Sequence, residues 1–312
     1  MEKTPIKEDT MRFETIVNRL VKSINNEDWK GVQVDFGPEM LKAIPLERLI
    51  YICNDILEVY GKIEKLGEPQ YILSNKAVFP ICFERAILDI HISLDTYNKV
   101  IGLLFQSHIP YIPEIKKHQT KLSLPFKGKW LVSAGGDTRE LNRHHNIKSQ
   151  KFAFDFVVTD ETGKFYKNYG NATEDYFAFG KEVISPADGI VSDVVNGVRD
   201  NIFGSLNPYS IFGNTIIIKH FENEFSVLAC LKLDSIKVKV GDKVTMGQLI
   251  GLCGNSGNSN RPHLHYHLQN APIIQYGTGI RCIFNKVIVT RDGQTQTKTN
   301  YSPIKGDIVQ LD

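Results

Sequence analysis

The run Pro262-His263-Leu264-His265-Tyr266-His267-Leu268-Gln269 places a histidine at every second position three times over. Side chains at i, i+2 and i+4 point the same way only when the backbone is extended, so the run predicts a strand with the imidazoles on one face. Neutral imidazoles gathered on one face are good metal ligands and good proton carriers. The preceding stretch Gly254-Asn255-Ser256-Gly257-Asn258-Ser259 predicts a shaped loop feeding that strand.

From about residue 125 the chain keeps this character. Val183-Ile184-Ser185-Pro186-Ala187-Asp188-Gly189-Ile190-Val191 is strand, turn, strand. Thr215 to His220 and Phe225 to Leu231 flank a polar turn at Glu222 to Glu224, and Val238 to Val244 encloses another tight turn at Gly241. Short strands at this spacing predict a mainly antiparallel β domain, a sandwich or barrel-like core.

The beginning is different. Phe13, Ile16, Val17, Leu20, Val21 and Ile24 recur at helical spacing, and a second helical stretch runs from about Pro45 to Tyr60 before Gly61. Asp89, His91 and Ser93 then alternate with Leu88, Ile90 and Ile92, as in a half-buried antiparallel strand with His91 toward solvent. The expected organisation is a small α+β domain over 1–107, a linker or crossing arm over 108–124 with Pro110, Pro113 and several lysines, and the β domain over 125–312. A chain of 312 residues is long enough for two cores.

Charge and composition exclude some partners. With 37 basic and 35 acidic residues there is no electrostatic case for a nucleic-acid partner. No apolar run reaches the length of a membrane span. The five cysteines, at 53, 82, 230, 253 and 282, lack CxxC spacing and predict buried thiols rather than a disulfide framework. Met1-Glu2-Lys3-Thr4-Pro5 has no apolar signal segment.

Several segments, in order, resemble the M23 peptidase family of LytM/lysostaphin-type zinc endopeptidases. They are Phe154-Asp155-Phe156, Val183 to Val191, Gly213 to His220, Val238 to Gly251, and Gly254 through His265. The first domain more loosely resembles cystatin-like or NTF2-like modules. The resemblance implies a tetrahedral Zn2+ site with Asp155 and His265 as ligands and His263 as a catalytic histidine. It further implies hydrolysis of peptide bonds in bacterial peptidoglycan, or in other small-residue peptides, by metal-activated water.

Two positions depart from the family pattern. The usual first ligand position holds Lys151, whose ammonium has no lone pair to offer. His144 and His145 are the substitutes; a family variant with Asn-x-His before Gln-x-x-Ala-x-Asp matches Asn142-Arg143-His144 and Gln150 to Asp155, which favours His144 as the third metal ligand. The second departure is Ala229-Cys230-Leu231, where the family has Ala-His-Leu, so Cys230 takes the place of a catalytic histidine. Three outcomes stay open. His263 acts alone with help from His267, or Cys230 closes the metal site, or the chain is a weakened or inactive binding or regulatory protein. His267 stands where many relatives carry a glutamate and either orients a ligand or only shares the strand face, while His220 is read as structural. A carrier module of the lipoyl type is a distant alternative, since no modifiable lysine occupies a matching hairpin. A wall substrate implies an extracellular or envelope location if a leader has been removed, and a cytoplasmic one follows if Met1 is the native start.

Overall fold

The computed structural model describes residues 7–108, 112–202 and 204–312. The chain divides into two compact units, residues 1–110 and 111–312.

In the first unit, four helices precede five strands: α1 (Lys7–Asn25), α2 (Trp29–Gln33), α3 (Pro38–Ala43), α4 (Leu46–Tyr60), then β1 (Ile63–Leu66), β2 (Gln70–Leu73), β3 (Lys76–Phe83), β4 (Ile87–Leu94) and β5 (Val100–Ser107). The stripe Phe13, Ile16, Val17, Leu20 and Ile24 is buried, because its spacing puts those side chains on one face of α1. That face shares a core with Ala77, Phe79 and Ile81 of β3 and Leu88, Ile90 and Ile92 of β4. The strands form an antiparallel sheet in the order β1-β3-β4-β5, with β2 also paired to β3. Asp89 on β4 is buried and pairs with His108 at 2.7 Å, whereas His91 stays half-exposed.

The second unit carries β6 (Trp130–Ala134), β7 (Phe154–Val157), β8 (Glu182–Ile184), β9 (Gly189–Val195), β10 (Asn214–Phe221), β11 (Glu224–Leu231), β12 (Lys243–Val244), β13 (Leu249–Leu252), β14 (Leu264–Gln269), β15 (Gly279–Ile280), β16 (Phe284–Arg291), β17 (Gln294–Tyr301) and β18 (Ile308–Gln310). Eleven of them make one antiparallel sheet in the order β12-β9-β10-β11-β14-β7-β6-β18-β16-β17, with β15 attached to β14. The barrel expectation is corrected here, because the sheet is open. It begins at the two-residue β12 and ends at β17, and these two do not pair with each other. β17 is a mostly exposed Gln-Thr-Gln-Thr-Lys-Thr-Asn-Tyr strand, a polar edge that does not invite closure. A separate β8–β13 pair contributes Val183 and Ile250 to a core shared with Ile216, Ile218, Leu228, Phe156 and Tyr266 of the large sheet.

Residues 112–124 are anchored within this unit. The carboxylate of Glu224, only 1% exposed, accepts from the backbone N–H of Gln119 and Thr120 and from the Thr120 hydroxyl, while Leu122 and Leu124 are fully buried. A Pro- and Lys-rich composition marks an irregular path without revealing that two leucines and a buried acid hold it down. All five cysteines are free thiols. No described helix is long and apolar enough to cross a membrane.

Candidate metal centre and its flanking groups

β14 divides its residues by parity. Leu264, Tyr266 and Leu268 enter the main core. His265, His267 and Gln269 take the other face, and with His263 just before the strand they are all buried. The neighbours are paired in register: His265 lies opposite Asp155 of β7 and opposite Ala229 of β11. Cross-strand partners share a face, so pairing alone brings the Asp155 carboxylate beside His265.

His144 reaches the same point from a loop. Asn142, 1% exposed, pins that loop by donating from Nδ2 to the carbonyls of Gly136 and Lys151 and by accepting from the His144 backbone N–H through Oδ1. His144 Nε2 then lies 2.9 Å from Asp155 Oδ2, and His265 Nδ1 lies 3.0 Å from Asp155 Oδ1. His144, Asp155 and His265 each offer a ligand atom, and these atoms lie within 4.8 Å of one another. His145 is outside this cluster and half-buried, with its Nδ1 buried and unpartnered. Lys151 is exposed, with its ammonium 5.5 Å from the Phe152 ring.

The hydrogen-bond direction through β14 tests whether a cation fits. Gln269 Nε2 donates to the Ala271 carbonyl, so Gln269 Oε1 is the atom facing His267 Nε2 at 3.0 Å. An oxygen that only accepts requires the proton on His267 Nε2, leaving His267 Nδ1 to accept from His265 Nε2–H at 3.1 Å. His265 Nδ1 is then a lone pair aimed at a carboxylate oxygen. Two acceptors facing each other are satisfied by a shared cation, and two imidazoles with one carboxylate are a donor set suited to zinc. Burial also pushes the His265 imidazole down to about 4 and that of His267 well below its ordinary value, so a neutral ligand form is favoured. Burial acts against the Asp155 carboxylate, but the facing His263 and the contacts of His144 and His265 hold its pKa well below the usual range.

His263 is oriented differently. Its Nδ1 lies 2.9 Å from the Arg261 carbonyl, which only accepts, so the proton belongs on Nδ1 and the Nε2 lone pair faces the site. Nε2 is 3.5 Å from Asp155 Oδ1. Ser259 Oγ stands 3.1 Å from Nδ1 and donates within the loop to Asn255 Oδ1. The loop behind it is buried from Gly254 to Gly257 and is tied by Ser256 to the Leu231 carbonyl. Gly254 is required there because a Cβ would come within 2.3 Å of the Lys232 backbone nitrogen. The segment braces His263.

Cys230 enters through a bulge. Alternation would send it into the core after Ala229, but the β10–β11 register shifts there and Cys230 adopts φ 61°. The bulge turns its Sγ to 3.8 Å from His263 Nε2. Burial pushes the thiol pKa far up and keeps it protonated, and Cys230 is not in the three-residue metal cluster. His220 is used elsewhere: its two ring nitrogens contact the Asp188 carbonyl at 2.7 Å and the Ser226 hydroxyl at 2.8 Å.

Four contributors were given no role in the sequence reading. Arg143 places Nη2 2.8 Å from Asp155 Oδ2, and the Phe212 ring packs 5.8 Å from that of His265. Asn142 served only as a motif letter, and Gln269 was reachable by extending the histidine alternation one step.

Parts of the second unit are similar to known proteins. Residues 169–279 match the profile of Peptidase family M23. Peptidoglycan DD-endopeptidase ShyA of Vibrio cholerae is 31% identical over 144 residues, covering 46% of this chain and 26% of the relative. An uncharacterized metalloprotease of Buchnera aphidicola is 35% identical over 147 residues, covering 47% of this chain and 30% of the relative. The chain thus spans less than a third of the length of either relative. Among solved structures, the catalytic domain of lysostaphin from Staphylococcus simulans is 19% identical and covers 49% of this chain and 88% of its own, at a TM-score of 0.28. The looser likeness of the first unit to cystatin-like or NTF2-like modules finds no support in these comparisons. The similarity to Peptidase family M23, by contrast, lies within the second unit, at residues 169–279.

Proposed function

We propose that this chain is a zinc-dependent endopeptidase acting on peptide bonds in peptidoglycan. The observation that carries the reading is the His144–Asp155–His265 cluster with the Nε2 lone pair of His263 beside it. Zinc held by those three residues would keep net positive charge and an open position, and so would acidify water and polarise an amide carbonyl.

The chain's own residues supply the remaining functions. The Arg261 carbonyl keeps the His263 proton on Nδ1, so Nε2 takes a proton from the attacking water and returns it to the departing amine. His267 and Gln269 hold the His265 ring through its second nitrogen, as outer partners of metal-binding histidines do. Phe212 lies against both of these rings and shields that side from solvent. The Vibrio relatives named as peptidoglycan DD-endopeptidases support the choice of substrate. A wall substrate in turn places the activity outside the cytoplasm.

Cys230 favours a second reading, a catalytically weakened or inactive protein that binds or regulates. A neutral thiol beside His263 cannot set a positive imidazolium against a developing oxyanion. One experiment tests both. Zinc-loaded protein and its Cys230→His variant are incubated with purified peptidoglycan, and the released peptides are read by mass spectrometry. Peptide-bond cleavage by the native chain supports the enzyme. No cleavage by either protein, across walls of differing crosslinks, overturns it in favour of the binding protein.

A further inference from the structure

We infer that the groove beside the metal cluster selects peptides bearing a free carboxylate, held by Arg261 with Lys305. This rests on the peptidase reading of the same site and names its substrate class. The groove has a volume of about 240 Å³, and Asp155 and His263 form part of its lining. A peptide whose scissile bond lies at those two residues therefore extends a neighbouring residue into it.

The groove is unbalanced in charge. Arg139, Arg143, Arg261 and Lys305 line it against only two carboxylates, Glu140 and Asp155. Asp155 is committed to the cluster and to Arg143. Among the described residues, Arg139, Arg261 and Lys305 have no carboxylate within ion-pair distance. Their contacts are neutral instead: Arg139 Nε donates to Asn146 Oδ1 at 3.0 Å, and Lys305 Nζ meets the Glu140 carbonyl at 3.5 Å.

Arg261 is the best placed of them. Its guanidinium carbon lies 4.6 Å from the centroid of the Phe165 ring, and the residue is half-buried. A guanidinium held by its face on an aromatic ring keeps its N–H edge for an acceptor, and the forked edge matches a carboxylate. Arg261 also supplies the carbonyl that orients His263, so the residue that would hold the substrate charge shares a backbone unit with the proton carrier's anchor.

The test uses pairs of pentapeptides acetylated at the N-terminus and amidated at the C-terminus. One glutamate, in L or D form, is moved along each sequence, and its partner carries glutamine at the same place. Each is titrated into the full chain stripped of metal, so that binding is read without turnover. At least one glutamate peptide should bind about tenfold more tightly than its partner, the range of a charge-assisted hydrogen bond. Arg261→Met should remove most of that preference by bringing the affinity for the glutamate peptide down toward that of its glutamine partner. No pair differing by more than twofold, or a preference that survives both Arg261→Met and Lys305→Met, overturns the inference. Wall cleavage is scored separately. Carboxylate preference without cleavage breaks only the peptidase reading, and cleavage without preference breaks only the groove assignment.

Discussion

Asp155 and His265 occupy one rung of two paired strands, whereas His144 and Cys230 reach the same site from a pinned loop and a bulge. The two pairs differ in what fixes them. Register fixes the first pair, because a one-residue slip would carry Asp155 or His265 to the opposite face and bury a polar or charged group in the core. The second pair depends on a few local contacts: three hydrogen bonds of Asn142 for the loop, and one left-handed backbone conformation for Cys230. The lesson is that a sheet holds metal ligands in a fixed relation, while the groups that decide how well the site works sit where single substitutions can move them.

That contrast can be broken from its strongest side first. His265→Ala or Asp155→Asn should abolish retention of zinc, read as a metal-to-protein ratio near zero after dialysis with the fold intact by circular dichroism. Retention of zinc by both variants would show that the rung is not the metal centre. At the bulge, Cys230→His should raise peptide hydrolysis by roughly a hundredfold, the size of one restored oxyanion partner. Histidine tolerates the left-handed region better than most residues, so the φ of 61° at this position does not oppose the change. A variant that folds and gains nothing would show that the groove, and not residue 230, limits turnover.

Smaller effects sharpen the comparison. Gln269→Leu or His267→Phe should weaken zinc binding by about 10- to 100-fold, as outer-shell losses do, measured by competition with a chelating dye. Unchanged affinity would remove the directional chain from the account of the site. Asn142→Ala leaves carbonyls and an N–H of the loop unpaired and should cost about 1–3 kcal/mol in thermal unfolding. It should loosen zinc less than the loss of a ligand does. If it proved equal to His144→Ala in zinc affinity, the loop would have no rigidity beyond that asparagine.

The sequence made the rung legible and the loop only half so. Period-2 alternation is a direct record of which face a strand residue takes, and it located His263, His265 and His267 together. It also implied Gln269, which continues the same face and ends the hydrogen-bond chain. Asp155 could be placed by its motif, and the Asn-x-His match favoured His144 over His145, but periodicity could not choose between the two because a loop has no period. What separates them is the pair of Asn142 Nδ2 bonds to carbonyls six and nine positions away in the chain. Alternation alone hid Cys230 as well: it sends the residue into the core, and only the match of Ala229-Cys230-Leu231 to the family's Ala-His-Leu segment put it at the site, with the bulge itself unannounced. The open sheet was mistaken for a barrel-like one because strand spacing counts strands without saying whether the first meets the last.

The parity of β14 has a consequence for how this protein can change. Its even-numbered residues belong to the fold and its odd-numbered residues to the chemistry. Saturation mutagenesis along the strand should therefore yield two separable classes of defect, insoluble protein at 264, 266 and 268, and soluble protein with altered metal or proton handling at 263, 265 and 267. A lineage could exchange histidine for another residue at an odd position without first having to rebuild its core.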